Sequence, residues 1–169
     1  MRPRRARAAG VKRQVAVIGA GGAVEGSESW RLAEEVGRRL AEAGAVVVCG
    51  GRGGVMAAVA RGAAAIGGEV IGVLPWVDPG EANPDCTHVV ATGVGQARNL
   101  AVVGSGEVVI AIGGEWGTLS EIGHARAIGR TVVALRSWGL VGRDGMEGAP
   151  GLIPVETASE AVAVALAED

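Results

Sequence analysis

Three short runs of aliphatic and β-branched residues, at 15–18, 46–49 and 108–112, each end in a glycine cluster, and each cluster opens a helical pattern. A strand that passes through glycines into a helix is the repeating unit of parallel α/β sheets, because glycine lets the backbone turn sharply. The helical spacing is clearest after the first cluster. Trp30, Leu32, Ala33, Val36 and Leu40 recur at helical intervals, with Glu34, Glu35, Arg38 and Arg39 mostly outside, and Gly44 is placed to end the helix. Further strands are predicted at 70–74, at 88–91 as a short edge strand, and at 131–135. Further helices are predicted at 55–66, 96–103, 118–128 and 157–167. The proline-bearing stretch 75–86 reads as an irregular loop, and the glycine-rich stretch 137–151 receives no element. This alternation predicts a Rossmann-like three-layer α/β/α sandwich with a mostly parallel sheet. Ligands in such sheets bind beyond the carboxyl ends of the strands, where all three glycine clusters fall.

Charge divides the chain unevenly. Residues 1–13 carry Arg2, Arg4, Arg5, Arg7, Lys12 and Arg13 and no acid, so the remainder holds 10 basic against 18 acidic residues, a net of −8. The expected organisation is a basic flexible tail over 1–13 and a single domain over 14–169. An acidic body argues against nucleic acid as a partner. The apolar runs are too short to span a membrane, and the tail lacks the apolar stretch of a secretory signal. Cys49 and Cys86 form neither a metal spacing nor a disulfide framework, which points to the cytoplasm. His88 and His124 have no partners at metal-ligand spacing, so no metal site is expected. Lys12 is the only lysine. The body therefore has no amine to form a Schiff base with pyridoxal phosphate, and no P-loop lysine.

The loops carry the chemistry. The first contains Gly21 and Gly22 and begins like a dinucleotide fingerprint, but Val24 stands where the third glycine belongs and Cys49 where an acid would end the second strand. A nicotinamide dehydrogenase is a poor fit. The second loop holds Gly51, Arg52, Gly53 and Gly54 at a helix start, where amide groups and the helix dipole attract anions and Arg52 adds charge. The third holds Gly113, Gly114, Gly117 and Thr118, with Glu121 three residues further on. A Thr118 N-cap would make that pair a capping box, as the same spacing does at Thr157 and Glu160. Arg98 and Asn99 sit near the start of the short 96–103 helix. Arg98 reads either as a solvated or ion-paired helix residue or as an anion clamp facing Glu121.

Taken together, GGRGGVMAAVARGA, GEVIGVLP, TGVGQARNL and GGEWGTLSEI resemble the LOG superfamily over roughly residues 14–136. That superfamily includes phosphoribohydrolases, long mislabelled as lysine decarboxylases, and molybdenum-cofactor carrier proteins. The chain is most similar to the short carrier-like branch. The resemblance implies Arg98 and Glu121 as the catalytic pair of the hydrolases, and Gly114, Gly117 and Thr118 as phosphate ligands. It also implies a homodimer or homotetramer. Ile112 departs from the proline of the motif, and Asn99 from the lysine common after the arginine.

The primary reading is a carrier that binds a phosphorylated small molecule, a nucleotide or the molybdenum cofactor, with no cofactor required for chemistry. The alternatives are a nucleoside 5′-monophosphate phosphoribohydrolase and an assembly module with a vestigial pocket, in which the Ala-rich 55–66 helix packs on a partner.

Overall fold

A computed structural model of the chain describes residues 8, 10–140 and 149–167. Most of the expected basic tail, and part of the stretch left without an element, lie outside the described residues. Seven strands form one sheet in the order β4-β3-β2-β1-β5-β6-β7, every neighbouring pair parallel. They are β1 (Gln14–Gly19), β2 (Val46–Cys49), β3 (Val70–Leu74), β4 (His88–Ala91), β5 (Val108–Ile112), β6 (Thr131–Leu135) and β7 (Leu152–Val155). The helices are α1 (Glu28–Glu42), α2 (Val55–Ala64), α3 (Arg98–Ser105), α4 (Trp116–Ala127) and α5 (Ala158–Leu166).

Alternation along the strands builds two cores. Val15, Val17, Val47, Cys49, Ile110, Ile112, Val133 and Leu135 pack with α1, α2 and α5. Ala16, Ile18, Val48, Val109, Ala111, Val132 and Ala134 pack with α3 and α4 on the opposite face. The expected α/β/α sandwich is therefore present. Helix α1 ends as anticipated: Gly44 has φ +72°, its N–H donates to the Ala41 carbonyl at 2.9 Å, and the Ala45 N–H donates to the Leu40 carbonyl at 3.0 Å. Helices α1 and α2 touch backbone to backbone. A Cβ on Gly37 would lie 2.0 Å from the Val59 carbonyl oxygen, and one on Gly62 1.9 Å from that of Glu34. The small residues of α2 thus face α1 of the same chain, not a free surface.

Three features depart from the sequence reading. Strand β7 was not anticipated; it lies at the sheet edge, where the N–H that Pro154 lacks removes no bond on the outer side. The 96–103 helix is split into a 3-10 turn, Gly95–Ala97, and α3. Helix α4 begins at Trp116, two residues before the predicted start. Lys12 and Arg13 are both seated: Lys12 pairs with Glu69 at 2.8 Å, and Arg13 donates to the last carbonyls of α5, at Leu166 and Ala167. No helix among the described residues is long and apolar enough to cross a membrane.

The order of strands fixes where a ligand can sit. The chain builds outward from β1 to β4, then returns through α3 to place β5 on the other side of β1. Connections leave β1 and β5 toward opposite faces of the sheet, so a crevice opens above their carboxyl ends.

Candidate functional site

That crevice holds a cavity of about 180 Å³, floored by Val17, Ile18 and Gly19 of β1. Gly21 of the first loop, Arg52 of the second, and Gly117, Thr118 and Glu121 of the third all line it, with Arg98 and Asn99 of α3. Seven of the residues singled out in the sequence therefore meet in one place. The other six stand outside the lining. Gly51 packs on Gly72 and Leu74, Gly54 on the Ala20 carbonyl, Gly113 beside the Ser29 hydroxyl and Gly114 on Thr118. These four have positive φ and shape the turns. Gly22 and Gly53 are exposed. Gly50, Met56, Gln96 and Glu115 also line the cavity. Gly50 and Gln96 were not named as site residues, although they lie inside the quoted GGRGGVMAAVARGA and TGVGQARNL motifs.

Arg98 is the centre of the site. It is 5% exposed, which removes the reading of a solvated helix residue. Its Nη1 donates to the Val73 carbonyl at 3.1 Å, while its buried Nε has no partner. Gly50 makes room for it, since a Cβ there would lie 1.9 Å from Nη1. Burial lowers the Arg98 pKa, and Glu121 opposes that shift. Burial also pushes the Glu121 carboxyl up to about 7, with Arg98 pulling it back. Arg52 brings a second cation to the rim. It is exposed and rests on the Trp76 ring, 4.6 Å from the centroid.

The helix entrances differ according to where they point. Helices α1 and α5 begin away from the cavity, and both are capped, by the Ser27 and Thr157 side chains. Helices α2, α3 and α4 begin at or beside the cavity, and none has a side-chain cap. At α2 one first-turn donor is already satisfied, because the Val55 N–H bonds to the Ala20 carbonyl at 3.0 Å. At α4 the N-cap is Glu115, so Thr118 lies inside the helix and its expected capping box with Glu121 does not form. Thr118 is instead buried, at 3% exposure. The Glu115 carbonyl is fixed by the Trp138 indole at 3.3 Å, and Trp138 in turn packs on Trp116 with ring centroids 5.3 Å apart. Uncapped helix starts with cations beside them suit a phosphate or another anion.

The match that decides the family runs over residues 12–162. The chain belongs to the SLOG cluster4 family. This agrees with the LOG-type resemblance of its loops. An uncharacterized protein of Archaeoglobus fulgidus is 42% identical over 123 residues, which is 73% of this chain and 80% of the relative. Among solved structures, the molybdenum cofactor binding protein of Rippkaea orientalis superposes with a TM-score of 0.80 at 28% identity, covering 91% of this chain and 95% of that one. The molybdenum cofactor carrier protein of Chlamydomonas reinhardtii gives 0.78 at 28% identity, covering 91% and 96%.

Proposed function

We propose that this SLOG cluster4 chain is a carrier that binds a phosphorylated small molecule, a nucleotide or a pterin-type cofactor, in the crevice between β1 and β5. The observation that supports it most is the buried Arg98 with an unpartnered Nε, set among three helix starts that lack side-chain caps. A phosphate would satisfy that guanidinium and the amides of α4 together, which suits the terminal phosphate of either class of cargo. The molybdenum cofactor, bound by the Rippkaea orientalis protein and carried by that of Chlamydomonas reinhardtii, is one such cargo.

Thermal unfolding with guanosine 5′-monophosphate, ribose 5-phosphate and guanosine tests this reading. A phosphorylated ligand at about 100 times its Kd stabilises the protein by roughly 2.7 kcal/mol, whereas guanosine at the same concentration gives little. Arg98→Ala abolishes the gain. Stabilisation by none of the phosphorylated compounds, or by all of them equally in Arg98→Ala, overturns the proposal.

A phosphoribohydrolase is the second reading, and the Glu121 carboxyl near 7 beside Arg98 favours it. There Glu121 would stabilise positive charge at the anomeric carbon while the glycosidic bond to the base breaks and water adds. Arg98 would hold the substrate anion. This reading expects nucleoside monophosphates to release ribose 5-phosphate, and Glu121→Gln to stop the release. Equal turnover by wild type and variant rules it out.

A homodimer or homotetramer belongs to the same proposal. Val77, Val90 and Val94, exposed on β4 and its flanking loops, and Leu100, exposed on α3, support it. Light scattering that finds only monomers across micromolar to millimolar concentration removes it.

A further inference from the structure

Cys49 and Cys86 lie 37 residues apart in the chain and meet in one buried cluster in the fold. Cys49 closes β2 and is fully buried, and its register partner on β3 is Gly72. Gly72 has no side chain, and the sulfur of Cys86 takes up that space: a Cβ on Gly72 would lie 2.7 Å from the Cys86 Sγ. The Cys49 Sγ donates to the Met56 carbonyl at 3.8 Å, and Cys86 packs against the same buried cluster that holds Cys49. Both cysteines are free, and Cys86 is the more accessible of the two. Neither lines the crevice, yet both adjoin it. Cys49 precedes Gly50, which makes room for Arg98. Cys86 ends the 75–86 segment, in which the Asn83 N–H donates to the Gly51 carbonyl at 2.9 Å and the Asn83 Nδ2 to the Arg52 carbonyl at 3.1 Å.

We propose that Cys49 and Cys86 are a dithiol site that hydrogen peroxide closes to an intrachain disulfide, locking the 75–86 segment onto the floor of the second glycine loop. Cys86, the accessible sulfur, reacts first. Its thiolate attacks one oxygen of the peroxide, the O–O bond breaks, and the departing hydroxide takes a proton to become water, which leaves a sulfenic acid on Cys86. The Cys49 sulfur then attacks the Cys86 sulfur. The S–O bond breaks, and the leaving hydroxide takes the Cys49 proton as a second water. Two electrons pass from the two sulfurs to one peroxide, and a dithiol reductant reverses the change. The neighbouring Cys49 holds the Cys86 thiol below its usual pKa, while Cys86 and burial raise that of Cys49, which matches this order of attack.

The full chain treated with hydrogen peroxide, unfolded and alkylated, tests the site. The expected product has no alkylatable thiol, has lost the mass of two hydrogen atoms, migrates as a single chain without reductant and recovers both thiols in dithiothreitol. In Cys86→Ser, a change at the partly buried position, Cys49 stays reduced under the same treatment. Added oxygen on Cys86 with Cys49 still alkylatable overturns the proposal, and so does a disulfide between chains. Amide exchange separates the lock from the chemistry. Oxidation should slow exchange at 50–54 and 75–86 and leave β5 unchanged, and a disulfide formed without that slowing would remove the lock.

Discussion

The starts of α4 and α5 share a Thr-x-x-Glu pattern and use it in opposite ways. At α5, Thr157 is the N-cap, and its side chain and that of Glu160 exchange hydrogen bonds with each other's backbone N–H groups. Those bonds, first from the Glu156 and Thr157 amides, hold the Glu160 carboxyl below its ordinary value. At α4, Gly113 and Gly114 turn the chain with φ of +54° and +112°, and the helix begins before the threonine. Thr118 is then buried inside the first turn, and Glu121 faces the crevice, where burial raises its carboxyl instead of lowering it. The same four-residue spacing therefore caps one helix and lines the crevice on another. The residues before it decide which.

The largest test of this contrast is Gly114→Ala. The substitution places a Cβ 2.5 Å from the Thr118 Cβ at a φ of +112°, which is strained for any side chain. Strain and overlap together cost about 3–4 kcal/mol in urea unfolding. A cost below about 1 kcal/mol would mean that the glycines do not set where α4 begins.

Glu121→Gln has the next largest effect, and pH reveals it. Because the folded state holds this carboxyl above its ordinary 4.5, folding favours the protonated form. Stability is therefore fullest below about 4.5 and falls as pH rises through about 7. The glutamine variant lacks that slope and gains up to about 3 kcal/mol on wild type between acidic and mildly alkaline pH. Parallel profiles for the two proteins would show that Glu121 is not buried as described. The sign reverses at Glu160. Its lowered carboxyl adds stability above the ordinary value, and that contribution is lost as pH falls through its folded value.

The smallest change is at Thr157. Removing its cap in Thr157→Ala costs about 1 kcal/mol and leaves ligand-induced stabilisation intact. A loss of ligand response would join α5 to the site and break the contrast.

Much of this was legible in the sequence. Strands β2 to β6 fall on the predicted residues, because each is a compact run of aliphatic residues buried on both faces or, at β4, bounded by turn residues. The capping box at Thr157 was also readable, since no glycine loop precedes it. The start of α4 was not, because threonine is a good N-cap by local rules and only the positive φ of two glycines moves the helix start upstream. Burial of Arg98 was left open, because it depends on Gly50, 48 positions earlier, leaving space beside it. The thiol pair was hidden for the same reason: spacing along the chain says nothing of a sulfur seated over Gly72.

The contact between α1 and α2 through Gly37 and Gly62 has a mechanical consequence. The first glycine loop leads into one of these helices and the second into the other, so both loops ride on a single stiff slab. Arg98 and Glu121 are carried by α3 and α4 across the sheet. Widening of the crevice is therefore expected from that second half. A side chain introduced at 37 or 62, though remote from the cavity, would set two of its three walls adrift together.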